Sequence, residues 1–128
     1  MFLHFDELDG AGHGYGYSPF IEEYTNTATT LDGYCESLFN IIDDKRLDGE
    51  DWIYCIISDH GGEGTGHSDA DHPNINRTIF FAQHPELIFK ANCCYTSSQV
   101  DLAPTVLDFL GISSSQFEYN QDGTSIIE

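Results

Sequence analysis

The chain of 128 residues has the length of one domain, and a chain of this length can bury a substantial core. Its hydrophobic content of 40%, with nine Phe and seven Tyr, excludes a disordered tail. Four Lys and Arg against 22 Asp and Glu give a formal net charge of −18, which excludes a generic binder of nucleic acid duplexes, because such binding needs clustered basic residues. Most of the acidic residues indicate a solvated surface, and divalent cations are the natural partners of the others. The apolar runs are far shorter than the roughly 20 residues that cross a bilayer, so no membrane segment is predicted.

The first half of the chain predicts two strands, a turn and a helix. Residues 1–7 alternate loosely between apolar and polar and predict a strand, and the glycine-dense residues 10–16 predict a turn. Apolar residues at spacings of three and four predict a helix over about 19–44, with its apolar stripe in the core. The continuous apolar run at 52–58 is typical of a central parallel strand buried on both faces.

The second half predicts a loop, two strands and a helix. Residues 59–76, with four Gly and three His, predict a long polar loop. Residues 77–83 and 86–90 predict two further strands. Residues 96–111 predict a helix with a Ser or Asp cap at its start and Gly111 at its end. Strands alternating with helices indicate an α/β fold.

Five residues with metal-binding side chains lie close to glycines. Asp9 and His13 follow the first predicted strand, Asp59 and His60 follow the buried strand, and His67 comes seven residues later. Ligands in open α/β sheets bind at the ends of strands, so we expect these side chains to meet there. Carboxylates and imidazoles are ligands that Zn²⁺ takes, and the pattern therefore predicts a metal site.

Each of these short motifs is weak when taken alone, and their conjunction carries the prediction. His72 is the alternative ligand to His67. His67 is favoured because Gly66 precedes it, as in the other glycine-flanked motifs. The sequence has no CxxC pair, so a zinc ribbon is not predicted. It also has no GxSxG motif, so a nucleophile elbow is not predicted.

The segments FDELDGAGHGYG, SDHGGEGTGH and QVDLAPTVLDFLGI resemble the C-terminal part of the alkaline phosphatase superfamily. The resemblance is nearest to the nucleotide pyrophosphatase/type I phosphodiesterase branch, with sulfatases as close relatives, and it covers nearly the whole chain. It implies an α/β fold, in which an alkaline phosphatase-like core has a mostly parallel sheet flanked by helices. Residues 1–128 would then form a single partial domain, the C-terminal metal-binding part, without the N-terminal half.

The resemblance also implies a metal-dependent hydrolase of phosphate diesters, phosphate monoesters or sulfate esters with a site of two Zn²⁺ ions, although other divalent ions would fit. Asp9, His13 and His67 would hold one ion, and Asp59 and His60 would contribute to the other. Two such ions clamp the transferred group between its attacking and leaving oxygens. The expected substrate is a small-molecule phosphate or sulfate ester.

The family's nucleophile, a Thr or Ser, and one further metal-binding Asp lie upstream of the DxxGH motif that Asp9 opens. We therefore expect no catalytic nucleophile in this chain, although Ser58, Thr65 and Ser68 lie near the motifs. The chain would then be a truncated gene product, an incomplete gene model, or a half that needs the missing N-terminal half as a partner chain. A non-catalytic metal-binding remnant and a plain acidic α/β domain with incidental histidines are the alternatives. Family members are often secreted, periplasmic or membrane-tethered, so the compartment stays open.

Overall fold

A computed structural model describes residues 1–90, 96–116 and 120–128. The chain forms two compact units, one of Met1–Glu50 with His60–Thr78 and the other of Asp51–Asp59 with Ile79–Glu128. The regular elements of the described residues are α1 (Glu7–Tyr15), α2 (Glu22–Leu47), β1 (Tyr54–Ile57), β2 (Phe80–Gln83) and α3 (Leu102–Phe109), with 3-10 turns at Gln99–Asp101 and Ser114–Gln116.

The predicted α/β fold with a mostly parallel sheet is wrong. Strands β1 and β2 pair antiparallel, with Tyr54 opposite Gln83 and Ile57 opposite Phe80, and they form a sheet of two strands. The described residues contain no parallel sheet, so the chain does not have an alkaline phosphatase-like α/β core. The apolar run at 52–58 correctly indicates a strand, but its side chains are half-buried. Such a run is compatible with either direction of pairing, because direction depends on the partner strand.

The predicted strand at 1–7 and the turn at 10–16 are also wrong, because α1 begins at Glu7 and continues through the glycines to Tyr15. The acidic residues of its first turn, Glu7 and Asp9, match the positive partial charge at that end of the helix. Gly12 is buried against the ring of Tyr17, where an added Cβ would collide with that ring. Tertiary packing therefore outweighs the low helix propensity of glycine here.

The helix predicted over about 19–44 is confirmed as α2, which packs against α1. The threonines within residues 25–30 do not interrupt the helix, and the hydroxyls of Thr25 and Thr29 donate to the carbonyls of Ile21 and Thr25, one turn earlier. Ile42 of α2 and Ile75 of the loop at 60–76, named the histidine loop here, are the buried apolar side chains among the described residues of the first unit. Among the described residues, no helix combines the length and the apolar character needed to cross a bilayer.

The helix predicted at 96–111 is confirmed as α3, preceded by a 3-10 turn. Ser98 and Asp101 form a capping box at the start of that turn, and Gly111 ends the helix region with a φ of +74°. The strand predicted at 86–90 is wrong, because this segment makes a single isolated bridge between Phe89 and Ile127. One short apolar run without a continuous partner strand cannot extend a sheet.

Two buried polar side chains fasten the C-terminal segment to α3. The Asp101 carboxylate accepts hydrogen bonds from the backbone N–H of Ser98 (2.8 Å) and of Thr124 (2.9 Å). The Thr105 hydroxyl, which is 0% exposed, donates to the Asp101 carbonyl (2.6 Å) and accepts from the Ile126 N–H (3.1 Å). These bonds satisfy polar groups that would be costly to bury alone, and they hold Ile126 in the core of the second unit.

Candidate metal centre

Helix α1 brings the first two predicted ligands together. Asp9 and His13 are four residues apart and therefore lie on one face of the helix, one turn from each other. His13 Nε2 lies 3.6 Å from Asp9 Oδ2. A turn at this position would not impose that spacing, so the helix is what pairs the carboxylate with the imidazole.

The loop that follows β1 brings two more imidazoles to the same place. His67 Nε2 lies 3.1 Å from His13 Nε2 and 3.6 Å from Asp9 Oδ1. His60 Nε2 lies 3.9 Å from Asp9 Oδ1. The rings of His60 and His67 are stacked, with centroids 3.8 Å apart and planes 22° apart. All four side chains belong to the first compact unit.

Backbone carbonyls set the tautomers of two of these histidines. His13 Nδ1 lies 2.9 Å from the Thr65 carbonyl oxygen, and His60 Nδ1 lies 2.8 Å from the Gly61 carbonyl oxygen. A carbonyl can only accept, so Nδ1 is the donor in both contacts, and Nε2 is the ring nitrogen that faces Asp9. Metal-binding histidines are commonly held in this way, with the second ring nitrogen donating to a carbonyl or carboxylate.

Glycines shape the loop that carries His60 and His67. The Gly61 N–H donates to the Ile75 carbonyl (2.8 Å), and Gly61 has no room for a Cβ, which would collide with the backbone oxygens of Asn74 and Arg77. Gly64 turns the chain with a φ of +57°, and its carbonyl accepts from the N–H of Tyr17 (2.8 Å). The loop is thereby tied to the end of α1.

Tyr17 is the residue of the site that sequence reasoning missed. Its hydroxyl donates to the Asp9 carboxylate, and its ring meets the rings of His13 and His67 edge-on, with centroids 5.6 and 6.3 Å away. A tyrosine is not a typical ligand of a metal predicted from carboxylates and imidazoles, so residue type alone did not indicate it. The available signal was position, eight residues after Asp9 at the end of the glycine-rich segment.

Electrostatic effects of the cluster converge on Asp9. The hydrogen bond from the Tyr17 hydroxyl lowers the pKa of Asp9 below its ordinary value of 3.8, and the nearby imidazoles of His13, His67 and His60 lower it further, against an opposing effect of burial. Burial, with a smaller effect of the Asp9 charge, raises the pKa of Tyr24. Asp9 is therefore held as a carboxylate, the form that binds a metal.

Asp9, His60 and His67 could hold a metal ion. Each offers one ligand atom, and these three atoms lie within 4.8 Å of one another. His13 lies beside them, close to both Asp9 and His67. The Asp9 side chain is 41% exposed and that of His67 is 33% exposed, so the group is open to solvent.

Two other candidates from the sequence have different surroundings. Asp59 belongs to the second unit, where its side chain is exposed and its backbone carbonyl accepts from the Gln99 amide. His72, the alternative to His67, accepts the Asn74 N–H at Nδ1 (3.3 Å). Within the part of the chain that the structure describes, the metal-competent group contains His67 and not His72, and it contains His60 together with Asp9.

Comparisons of this chain with protein-family models, with curated protein sequences and with solved structures found no match. The resemblance to the alkaline phosphatase superfamily therefore stays a prediction from short motifs.

Proposed function

We propose that this chain binds one divalent metal ion through Asp9, His60 and His67, with His13 as the neighbouring fourth donor. We further propose that the ion is zinc and that it catalyses ester hydrolysis. The observation that carries the proposal is the convergence of one carboxylate and two imidazoles on one point, with ligand atoms within 4.8 Å. The substrates would be phosphate diesters, phosphate monoesters or sulfate esters, as the motif resemblance implies.

The donor set and its spacing support zinc. Zn²⁺ with tetrahedral ligands at about 2.0–2.1 Å places neighbouring donor atoms about 3.3 Å apart. Within the proposed ligand set, His67 Nε2 and His60 Nε2 lie 3.6 and 3.9 Å from Asp9 Oδ1, and the neighbouring His13 Nε2 lies 3.1 Å from His67 Nε2. Small side-chain shifts would bring these donor atoms to that spacing. Ca²⁺ and Mg²⁺ prefer all-oxygen sets, so a majority of imidazoles favours zinc over them.

The openness of the group supports a catalytic use. A catalytic zinc site keeps a position for water or substrate, and a bound zinc ion supplies Lewis-acid polarisation of a phosphoryl or sulfuryl oxygen. Asp9 and His67 are partly exposed, so a small ester could reach the group. A formal charge of −18 repels anions, and a cation held here would give an anionic ester a local point of attraction.

A second candidate function is metal binding without catalysis. The observation that favours it concerns Thr65, a hydroxyl-bearing residue of the loop, which contacts the cluster through its backbone carbonyl, the acceptor of His13 Nδ1. An activated hydroxyl in contact with the metal is what covalent ester hydrolysis would need. Without one, turnover would depend on water and would be slow.

Hydrolysis of bis-p-nitrophenyl phosphate with added zinc, with and without a chelator, tests the proposal. We expect slow turnover that the chelator abolishes, that His67→Ala removes and that the control His72→Ala retains. p-Nitrocatechol sulfate, assayed in parallel, separates sulfate from phosphate esters. Bound zinc without chelator-sensitive turnover would favour the non-catalytic function, and turnover retained in His67→Ala would contradict the proposed site.

A further inference from the structure

Tyr17 contacts the metal-competent group without being one of its ligands. Its hydroxyl donates to Asp9 Oδ1 and lies 3.3 Å from the Asp9 carbonyl oxygen. Asp9 Oδ1 is the same oxygen that lies 3.6 Å from His67 Nε2 and 3.9 Å from His60 Nε2. A carboxylate oxygen has more than one acceptor site, so Oδ1 can accept this hydrogen bond and still face the two imidazoles.

The ring of Tyr17 is fitted between the two segments that carry the ligands. Gly12 of α1 and Gly62 of the histidine loop both lie against it, and a Cβ added at either glycine would collide with ring atoms. The Tyr17 N–H also donates to the Gly64 carbonyl of the same loop (2.8 Å). Tyr17 therefore sets the separation between the helix with Asp9 and the loop with the histidines.

We propose that Tyr17 is a positioning residue of the metal site: its hydroxyl fixes the rotation of the Asp9 carboxylate, and its ring spaces α1 from the histidine loop. This inference rests on the proposed metal site but not on the proposed hydrolysis. Groups that orient a metal ligand in this way typically change metal affinity by about 10–100-fold when they are removed. We expect a loss of that size from the hydroxyl alone, because a freely rotating carboxylate must be ordered when the ion binds.

Zinc affinity measured by competition with a chromophoric chelator tests the proposal, with the visible spectrum of added Co²⁺ as a report on coordination. Tyr17→Phe removes the hydroxyl and keeps the ring. Tyr15→Phe is the matched control, because it removes a phenol hydroxyl from a side chain that is 59% exposed and two residues away. We expect at least tenfold weaker zinc binding and an altered Co²⁺ spectrum in Tyr17→Phe, and values equal to the wild type in Tyr15→Phe.

A second pair of measurements separates positioning from general stability. In an Asp9→Ala background, Tyr17→Phe should cause no further loss of affinity, because the carboxylate through which it acts is absent. An equal loss in both backgrounds, or wild-type affinity in Tyr17→Phe, would overturn the proposal. A wild-type chain that binds no zinc would overturn the metal site and this inference together, whereas zinc binding without hydrolysis would overturn only the catalytic function.

If Tyr17→Phe loses its helical circular dichroism, a substitution at Gly62, which lies against the Tyr17 ring, tests the positioning role instead. Gly62→Ala leaves every ligand and the Tyr17 hydroxyl in place but displaces the ring, and Gly66→Ala adds the same methyl group in the same loop where nothing lies within 4 Å. We expect weaker zinc binding in Gly62→Ala than in Gly66→Ala. Equal affinity in these two variants would overturn the positioning role.

Discussion

Asp9 is the carboxylate that the three histidines of the group and Tyr17 all contact. It faces His13, His60 and His67 within 4 Å and accepts a hydrogen bond from Tyr17. A carboxylate in such surroundings is stabilised in its charged form, because both the hydrogen bond and the imidazoles favour the negative charge. Asp9 is therefore already ionised, and able to bind a cation, in the metal-free protein.

The metal-free protein should show this effect in the titration of Asp9. The folded-state pKa lies below the ordinary value of 3.8, so the stability that Asp9 contributes is present above that value and is lost as the pH falls through the folded-state pKa. Carboxyl ¹³C NMR of Asp9 should give a midpoint below the ordinary value, and Tyr17→Phe should raise it, because the hydrogen bond is the largest cause of the shift. A midpoint at or above the ordinary value in the wild-type chain would contradict this account.

The metal-binding residues of the site could be predicted from the sequence, but the contacts that position them could not. Asp9, His13 and His67 stand in short motifs with glycines, and residue type with local spacing was enough to select them. The structure also places His60 beside Asp9, in the same group rather than apart from it. The contacts of Tyr17 depend on loop residues more than forty positions away, and no local pattern indicates them.

At the scale of elements, helices were easier to predict than strand pairing. The periodicity of α2 extends over many residues and gives a strong signal, whereas residues 1–7 and 86–90 are short runs whose structure depends on distant partners. The apolar run of β1 was visible in the sequence, but its antiparallel register with β2 was not, because register is a property of the pair. The end of α3 at Gly111 was predictable, since a left-handed residue after a helix is usually glycine.

Substitution of Gly111 tests that helix end. Gly111 has a φ of +74°, a conformation that a β-branched residue resists. Gly111→Val should lower the free energy of unfolding by about 1 kcal/mol or more, measured by urea denaturation. Gly111→Asn is the control and should cost less, because Asn tolerates this conformation better. Equal unfolding midpoints for Gly111→Val and the wild type would show that the end of α3 does not depend on the backbone of this residue.

At the scale of the whole molecule, charge is the dominant feature. A formal charge of −18 on 128 residues destabilises a compact state through self-repulsion, and salt screens that repulsion between exposed groups. Raising NaCl from about 0.02 M to about 0.5 M should therefore raise the thermal midpoint by several degrees. Sucrose at matched water activity is the control for general solute effects. A midpoint that falls as NaCl rises would show that attractive ion pairs outweigh the repulsion.

Metal content is the most direct test of the central claim that Asp9, His60 and His67 form one divalent metal site. Purified chain would be incubated with zinc, dialysed against metal-free buffer and analysed by plasma mass spectrometry. We predict about one zinc ion per wild-type chain and per His72→Ala chain, and almost none in a His60→Ala/His67→Ala double variant, because one carboxylate and His13 alone make a weak site. Equal zinc in the double variant and the wild type, or loss of zinc in His72→Ala, would contradict the account.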